Sequence, residues 1–301
     1  MAKPLREDEI GQDTLIEYLD TKSDFHFELK ILKMMKDHGL PCEHGGHYVD
    51  PVTQKSREFD IRCRIAAGRF RLQLAVECKN LRVSNPLLVT AVARTKDESY
   101  HQAAVIVDPT AVVVELAGQI ITREPEESRA QSVRVRGRQS IYPPGEPVGK
   151  STAQVGLSKH GEPEIVAGDS DIYEKWGQCL SSLTDLVGEM EDMRDAADHT
   201  MWLAATAIPI LVVPDRTLWR ALYADDGSRA EDPRRVDHVS MFAGKRYRLG
   251  NWGDKLSISH VEIMTESGLK GFIRQSLLSA EAISSTFFAN VDPPKPPRER
   301  F

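Results

Sequence analysis

The sequence predicts an α/β (α+β) fold on an αβββαβ core, with a large insertion after the third strand and extra C-terminal β-rich elements. Two observations carry this. Residues 57–79 (REFDIRCRIAAGRFRLQLAVECK) alternate apolar and polar residues in two arms around a glycine, the pattern of a β-hairpin. Residues 171–195 carry apolar residues at helical spacing and precede a short β-branched run, AIPILVV, as an amphipathic helix before a buried strand does.

Residues 1–22 contain one lead helix, over about 7–19 (EDEIGQDTLIEYL), broken by residues 21–24. The first core element spans Ser23 to His38. Ser23 serves as N-cap, Asp24 lies in the first turn, and Gly39 follows the end. Phe25, Leu29, Leu32 and Met35 form its predicted apolar stripe, and Glu28 sits inside that stripe. A carboxylate facing a core needs a cation or a metal; a structural salt bridge to a hairpin arginine is the plain alternative.

A strand over 45–50 and a turn over 51–56 lead into the hairpin. Phe59, Ile61, Cys63 and Ile65 share one face of its first arm. Phe70, Leu72, Leu74, Val76 and Cys78 share one face of the second. With Ala66–Arg69 as a four-residue turn, Ile65 pairs with Phe70 and Asp60 faces Ala75. Asp60 then lies diagonal to Glu77, about 7–8 Å away. Lys79, two residues beyond Glu77, points the same way. Two carboxylates and an amine thus converge on the accessible side of the hairpin. A solvated face laced with salt bridges is the competing explanation.

Residues 81–169 read as an insertion. Residues 87–94, 103–107 and 112–116 are apolar runs that suit strand or helix, Arg129, Arg134, Arg136 and Arg138 cluster, and 142–151 is a Pro/Gly-rich loop. In that loop Gly145-Glu-Pro-Val-Gly149-Lys150-Ser151 has one residue too few between its glycines for a nucleotide-binding phosphate loop. A loop touching nucleic-acid phosphates suits it better. In the long helix, Ile172, Trp176, Cys179, Leu180, Leu183, Leu186, Val187, Met190 and Met193 form the stripe, with Lys175, Gln178 and Ser182 on its flank. The second half of the core is thus 170–215. Residues 216–290 suggest further strands and a helix near 267–280, and 291–301 (VDPPKPPRERF) a mobile tail.

A net charge of −6 excludes a generally basic DNA-coating protein, so contact with a polyanion needs a local patch or metal ions. No stretch is long and apolar enough to span a bilayer, and the N-terminus lacks a signal-peptide core. Cys42, Cys63, Cys78 and Cys179 have no paired spacing and read as reduced thiols in a cytoplasmic protein. Cys42, His44 and His47 lack a fourth zinc ligand at metal-site spacing and read as a structural loop.

The order helix with Glu28, three strands, Asp60 on the second, and Glu77-Cys78-Lys79 on the third resembles the PD-(D/E)xK nuclease superfamily, the restriction-endonuclease-like fold. Residues 23–79 carry the resemblance closely, 171–213 more loosely. Phe59 rather than Pro precedes Asp60, and Gln178 is followed by Ser182 where some branches place a tyrosine. The resemblance implies a mixed sheet and metal-dependent hydrolysis of phosphodiesters, most naturally in DNA, leaving 5′-phosphates. It implies bacterial restriction or phage defence as the setting. Asp60, Glu77, the Cys78 carbonyl and Glu28 would hold Mg²⁺, with Mn²⁺ as a substitute, and Lys79 would act on the metal-bound water. Gln178 would be a second-helix contact. Arg62, Arg64, Arg134, Arg136, Arg138 and Lys150 are candidates for nucleic-acid backbone contacts. A homodimer, or a partner protein in a defence complex, is compatible with it. The competing function is a catalytically silent nucleic-acid-binding or scaffolding subunit that keeps the fold.

Overall fold

A computed structural model describes residues 8–50, 53–107, 113–116, 119–122, 129–158, 162–192, 202–249 and 255–291. The elements run α1 (Gln12–Thr21), α2 (Phe25–Asp37), β1 (Cys42–Val49), β2 (Ser56–Ala67), β3 (Phe70–Cys78), β4 (Leu87–Ala93) and β5 (Tyr100–Val107). Next come β6 (Val113–Leu116), β7 (Gln119–Thr122), β8 (Arg129–Arg136), β9 (Pro147–Leu157), β10 (Ile165–Gly168) and α3 (Ser170–Gly188). β11 (Trp202–Val213), β12 (Leu218–Tyr223), β13 (Arg229–Arg235), β14 (His238–Arg248), β15 (Lys255–Thr265), α4 (Glu266–Ser276) and α5 (Ala280–Phe287) complete the chain.

Among the described residues, thirteen strands join one mixed sheet in the order β1-β2-β3-β11-β15-β14-β9-β4-β12-β13, with β5, β8 and β10 branching from it. β1, β2 and β3 are antiparallel neighbours. β3 and β11 are parallel, joined through the insertion and α3, and β15 lies parallel to β11 on its far side. A parallel pair needs such a long crossover, and this one carries its helix onto the face of the sheet. The core has two layers. Phe27, Ile31 and Met35 of α2, with α4 and α5, pack on one face, and α3 packs on the other through Ile172, Leu183 and Leu186. β11 is covered on both sides: Ile208 and Ile210 join the first layer, Leu211 and Val213 the second. That is why its sequence is a continuous apolar run.

Several expectations are corrected. The hairpin closes two residues tighter, with Ala67 opposite Phe70 and Ile65 opposite Leu72, because Gly68 takes φ +59° and allows a two-residue loop. A shift of two leaves every side chain on its expected face. The face expected to be accessible is covered instead, since α3 packs on it and Arg62, Gln73 and Glu77 are buried. The apolar face of α2 is Phe27, Ile31, Leu32 and Met35, whereas Phe25 and Leu29 are exposed. Two overlapping stripes exist in this helix, and contact with the sheet selects one.

Residues 147–151 are not loop: they begin β9, whose Gly149 lies against Val89 and Met241 too closely for a side chain. No phosphate loop is therefore formed there. The apolar runs of the insertion are strands. The helix placed at 267–280 divides at Leu277–Ser279 into α4 and α5, each N-capped by a hydroxyl, Thr265 and Ser279. Cys42 and Cys63 face each other across β1 and β2 and are joined by a disulfide, contrary to the expectation of four reduced thiols. Cys78 and Cys179 are free and buried. Residues 51–52, Met193 and the tail from 292 lie outside the described residues. Among the described residues no helix is long and apolar enough to cross a membrane.

Candidate functional site

The expected acidic residues meet where β2 parts from β3. The ladder between these strands ends at Ile61 opposite Val76. Beyond it the Asp60 carboxylate replaces the backbone, its Oδ2 accepting the Cys78 N–H at 2.7 Å. The next residue of β3 before Cys78 is Glu77, 1% exposed and therefore wholly cut off from water. One ammonium reaches both acids: Lys175 Nζ lies 3.2 Å from Asp60 Oδ2 and 3.4 Å from Glu77 Oε2. α3 delivers this amine, and it can do so because Ile172 and Cys179, on the same side of the helix, are buried against the sheet.

Glu28 approaches from α2. Its carboxyl is raised to about 7, by burial first and then by the Asp60 charge, with Lys175 acting against them. Glu77 is raised to about 8, again by burial and then by Asp60. Burial opposes the Lys175 charge, but Asp60 and Glu77 outweigh it and hold its pKa above the usual lysine value. Two carboxylates therefore share one ammonium, and burial, with the Asp60 charge added to it, leaves Glu28 and Glu77 ionising reluctantly. His44 Nε2 stands 3.7 Å from Glu28 Oε2, and its ring lies 5.9 Å from that of Phe25.

Buried polar atoms around the cluster are left over. Glu77 Oε1 has no hydrogen-bond partner, and neither has the hydroxyl of Tyr48, whose pKa is pushed up by burial and by nearby Glu77. Such orphaned atoms mark a place where water or an ion is wanted. Among the described residues, however, no three His, Cys, Asp or Glu side chains already stand at metal-ligand spacing.

Lys79 is placed differently from the expectation. Its Nζ lies 3.1 Å from Asp24 Oδ2, and Asp24 Oδ1 accepts the Asn80 N–H at 2.8 Å. Asp24 is the residue before α2, and its side chain makes no cap bond to the helix, so it is free to tie the end of β3 to the start of α2. The Cys78 thiol is fully buried and pushed up by burial. Gln178 is half-buried on α3, three residues past Lys175, and outside the cluster.

The arginines divide. Arg62 is buried, donates to the Ser182 carbonyl at 2.7 Å and stacks on the Phe59 ring at 4.0 Å, so it is a core strut rather than a phosphate contact. Arg64 is held by Glu43 and Glu189. Lys150 is paired with Glu98 and lies over Phe242. Arg134, Arg136 and Arg138 are exposed, with Arg134 stacked on Tyr100, and remain available to a polyanion. Cys42, His44 and His47 lie on β1 rather than in a loop.

No protein-family model matches the chain, and no curated protein or solved structure is detectably similar to it. The site must be read from its own chemistry.

Lys175, Asp24 and His44 are the participants that sequence reasoning did not assign. Lys175 was visible on the flank of its helix, one residue from Trp176 in the apolar stripe. Nothing in its spacing indicated which strand it would meet.

Proposed function

We propose that the chain is a metal-dependent phosphodiesterase acting on nucleic acid, with a PD-(D/E)xK-type site in a restriction-endonuclease-like core. The observation that carries this reading is that Asp60 and Glu77, from two adjacent strands, share a single ammonium, with Glu28 of α2 close enough to feel the Asp60 charge. The order of α2, three antiparallel strands, α3 and a strand parallel to the third supports it. So does the unpartnered Glu77 Oε1, because an oxygen-only donor set under-supplied with positive charge suits a hard divalent cation.

Asp60, Glu77 and Glu28 would hold that ion, beside the Cys78 carbonyl. When bound it would supply an acidic water and offset charge at phosphorus. The protein's own part is positioning. The Cys78 N–H fixes the Asp60 carboxylate, the sheet fixes Glu77, and α2 brings Glu28 to the edge where the strands separate. DNA, in bacterial restriction or phage defence, is the substrate and setting we favour.

The decisive assay incubates the protein with plasmid, single-stranded DNA and RNA, in Mg²⁺, Mn²⁺ or EDTA, beside Asp60→Asn. Cleavage that needs the cation and is lost in the variant supports the enzyme. A second reading, a non-hydrolysing nucleic-acid-binding subunit, draws on Lys79 and Lys175 both being ion-paired. Binding without cleavage on all substrates, unchanged by Asp60→Asn, would favour it.

A further inference from the structure

We propose that the Lys175 ammonium is the tethered counter-ion of the acidic cluster, and that it competes directly with a divalent cation for Asp60 and Glu77. This rests on the cation-binding reading above and adds a regulatory residue to it.

The geometry carries the inference. Lys175 Nζ touches Asp60 Oδ1, Asp60 Oδ2 and Glu77 Oε2 at 3.5, 3.2 and 3.4 Å, so it occupies the space between the two acids that an ion bridging them needs. Two cations cannot share that space, because their repulsion is poorly screened at a buried site. A single ammonium also leaves the cluster incompletely satisfied, since Glu77 Oε1 keeps no partner. Lys79 cannot take this role while Asp24 holds its amine.

The Lys175 side chain is not sealed in, keeping 18% of its surface exposed. The amine ends a flexible four-carbon stem near the beginning of α3. Cation entry thus requires the amine to swing out, and the lysine sets a threshold of divalent ion below which the carboxylates stay closed. An ordinary structural salt bridge predicts the opposite effect of mutation: losing it would loosen the site and weaken the ion.

The test measures Mn²⁺ binding to the full chain by electron paramagnetic resonance of the free ion. Wild type is compared with Lys175→Met, Lys175→Arg, Lys79→Met and Asp60→Asn. Removing the competing charge should tighten Mn²⁺ by about tenfold or more in Lys175→Met. Lys175→Arg and Lys79→Met should bind no tighter than wild type. Unchanged or weaker binding in a folded Lys175→Met overturns the competition while leaving the cation site standing. Failure of both wild type and Lys175→Met to bind Mn²⁺, or binding that survives Asp60→Asn, overturns the cation reading and this inference together. A measurement on the wild-type chain covers the case in which Lys175→Met does not fold. Amine acetylation read by mass spectrometry should label Lys175 faster when Mn²⁺ is present, and an unchanged or slower rate overturns the competition.

Discussion

The Lys79 ammonium rests 3.1 Å from Asp24 Oδ2, joining the residue that follows β3 to the residue that precedes α2. The other oxygen of Asp24 accepts the Asn80 amide. This clamp holds the helix bearing Glu28 against the strand bearing Glu77. Asp24→Ala should therefore cost about 1–3 kcal/mol, as removal of the acceptor from two donors does. Urea denaturation measures it, and a loss below about 0.5 kcal/mol, the range of an ordinary surface change, would remove the clamp from the account.

Glu77→Gln separates the site from the fold. The side chain keeps its volume in a buried position but can no longer bear charge. Cation-dependent cleavage should fall by at least about a hundredfold, more than loss of a residue that merely supports a ligand. The melting temperature without metal should not fall. Retained cleavage would exclude Glu77 from the reacting centre.

Glu28 and Glu77 should make stability without metal fall as pH rises, most clearly between about 6.5 and 8. Glu28 and Glu77 hold protons up to about 7 and about 8 when folded, against 4.5 as ordinary carboxylates. Through that window the unfolded chain releases protons that the folded chain keeps, so ionisation favours unfolding. Glu262 works in the opposite sense and lower down. Burial alone would raise it, but its partner His238 holds it down to about 2, so its contribution is lost as pH falls from 4.5. His260, held down to about 3 by burial, and His101, also lowered by burial, add stability as pH rises to the ordinary histidine value of 6.5, so thermal melts in EDTA should decline most clearly between pH 6.5 and 8. A curve rising steadily to pH 8 would contradict this.

Arg62→Ala should destabilise the fold by about 2–3 kcal/mol, the range for a buried charge-assisted bond. It also strips the guanidinium from the Phe59 ring. Arg136→Ala and Arg138→Ala, both exposed at and just after the end of β8, should change stability by less than about 0.5 kcal/mol. Any effect of this exposed pair should appear in the salt dependence of nucleic-acid binding. Chemical denaturation of the three variants side by side distinguishes strut from surface.

Gly46→Ala should be costly despite its small size. A Cβ there would stand 2.5 Å from Phe59 Cζ, and the ring is trapped beneath the Arg62 guanidinium. We expect about 1–3 kcal/mol, as for overpacking in a core. A neutral result in a thermal melt would mean the ring can move.

Much of this architecture was legible in the chain itself, because strand parity and helix spacing are local. Alternation placed Asp60 and Glu77 on the hairpin, and a wrong count of the turn by two residues left their faces unchanged. The apolar run of β11 announced burial on both sides. Glu28 was picked out as an acid inside an apolar stripe, even though the stripe chosen was the wrong one of two.

What the sequence alone determined is the hairpin, the helices α2 and α3, the strand β11 and the acids of α2 and the hairpin, since these depend on neighbours within a few residues. The tertiary structure alone decided that Lys175 meets Asp60 across 115 residues, that Lys79 turns to Asp24, that Arg62 is interred under α3, and that Cys42 is joined to Cys63. These depend on how a crossover helix and an edge strand dock, which is set by packing of the whole sheet and leaves no periodic trace in the chain.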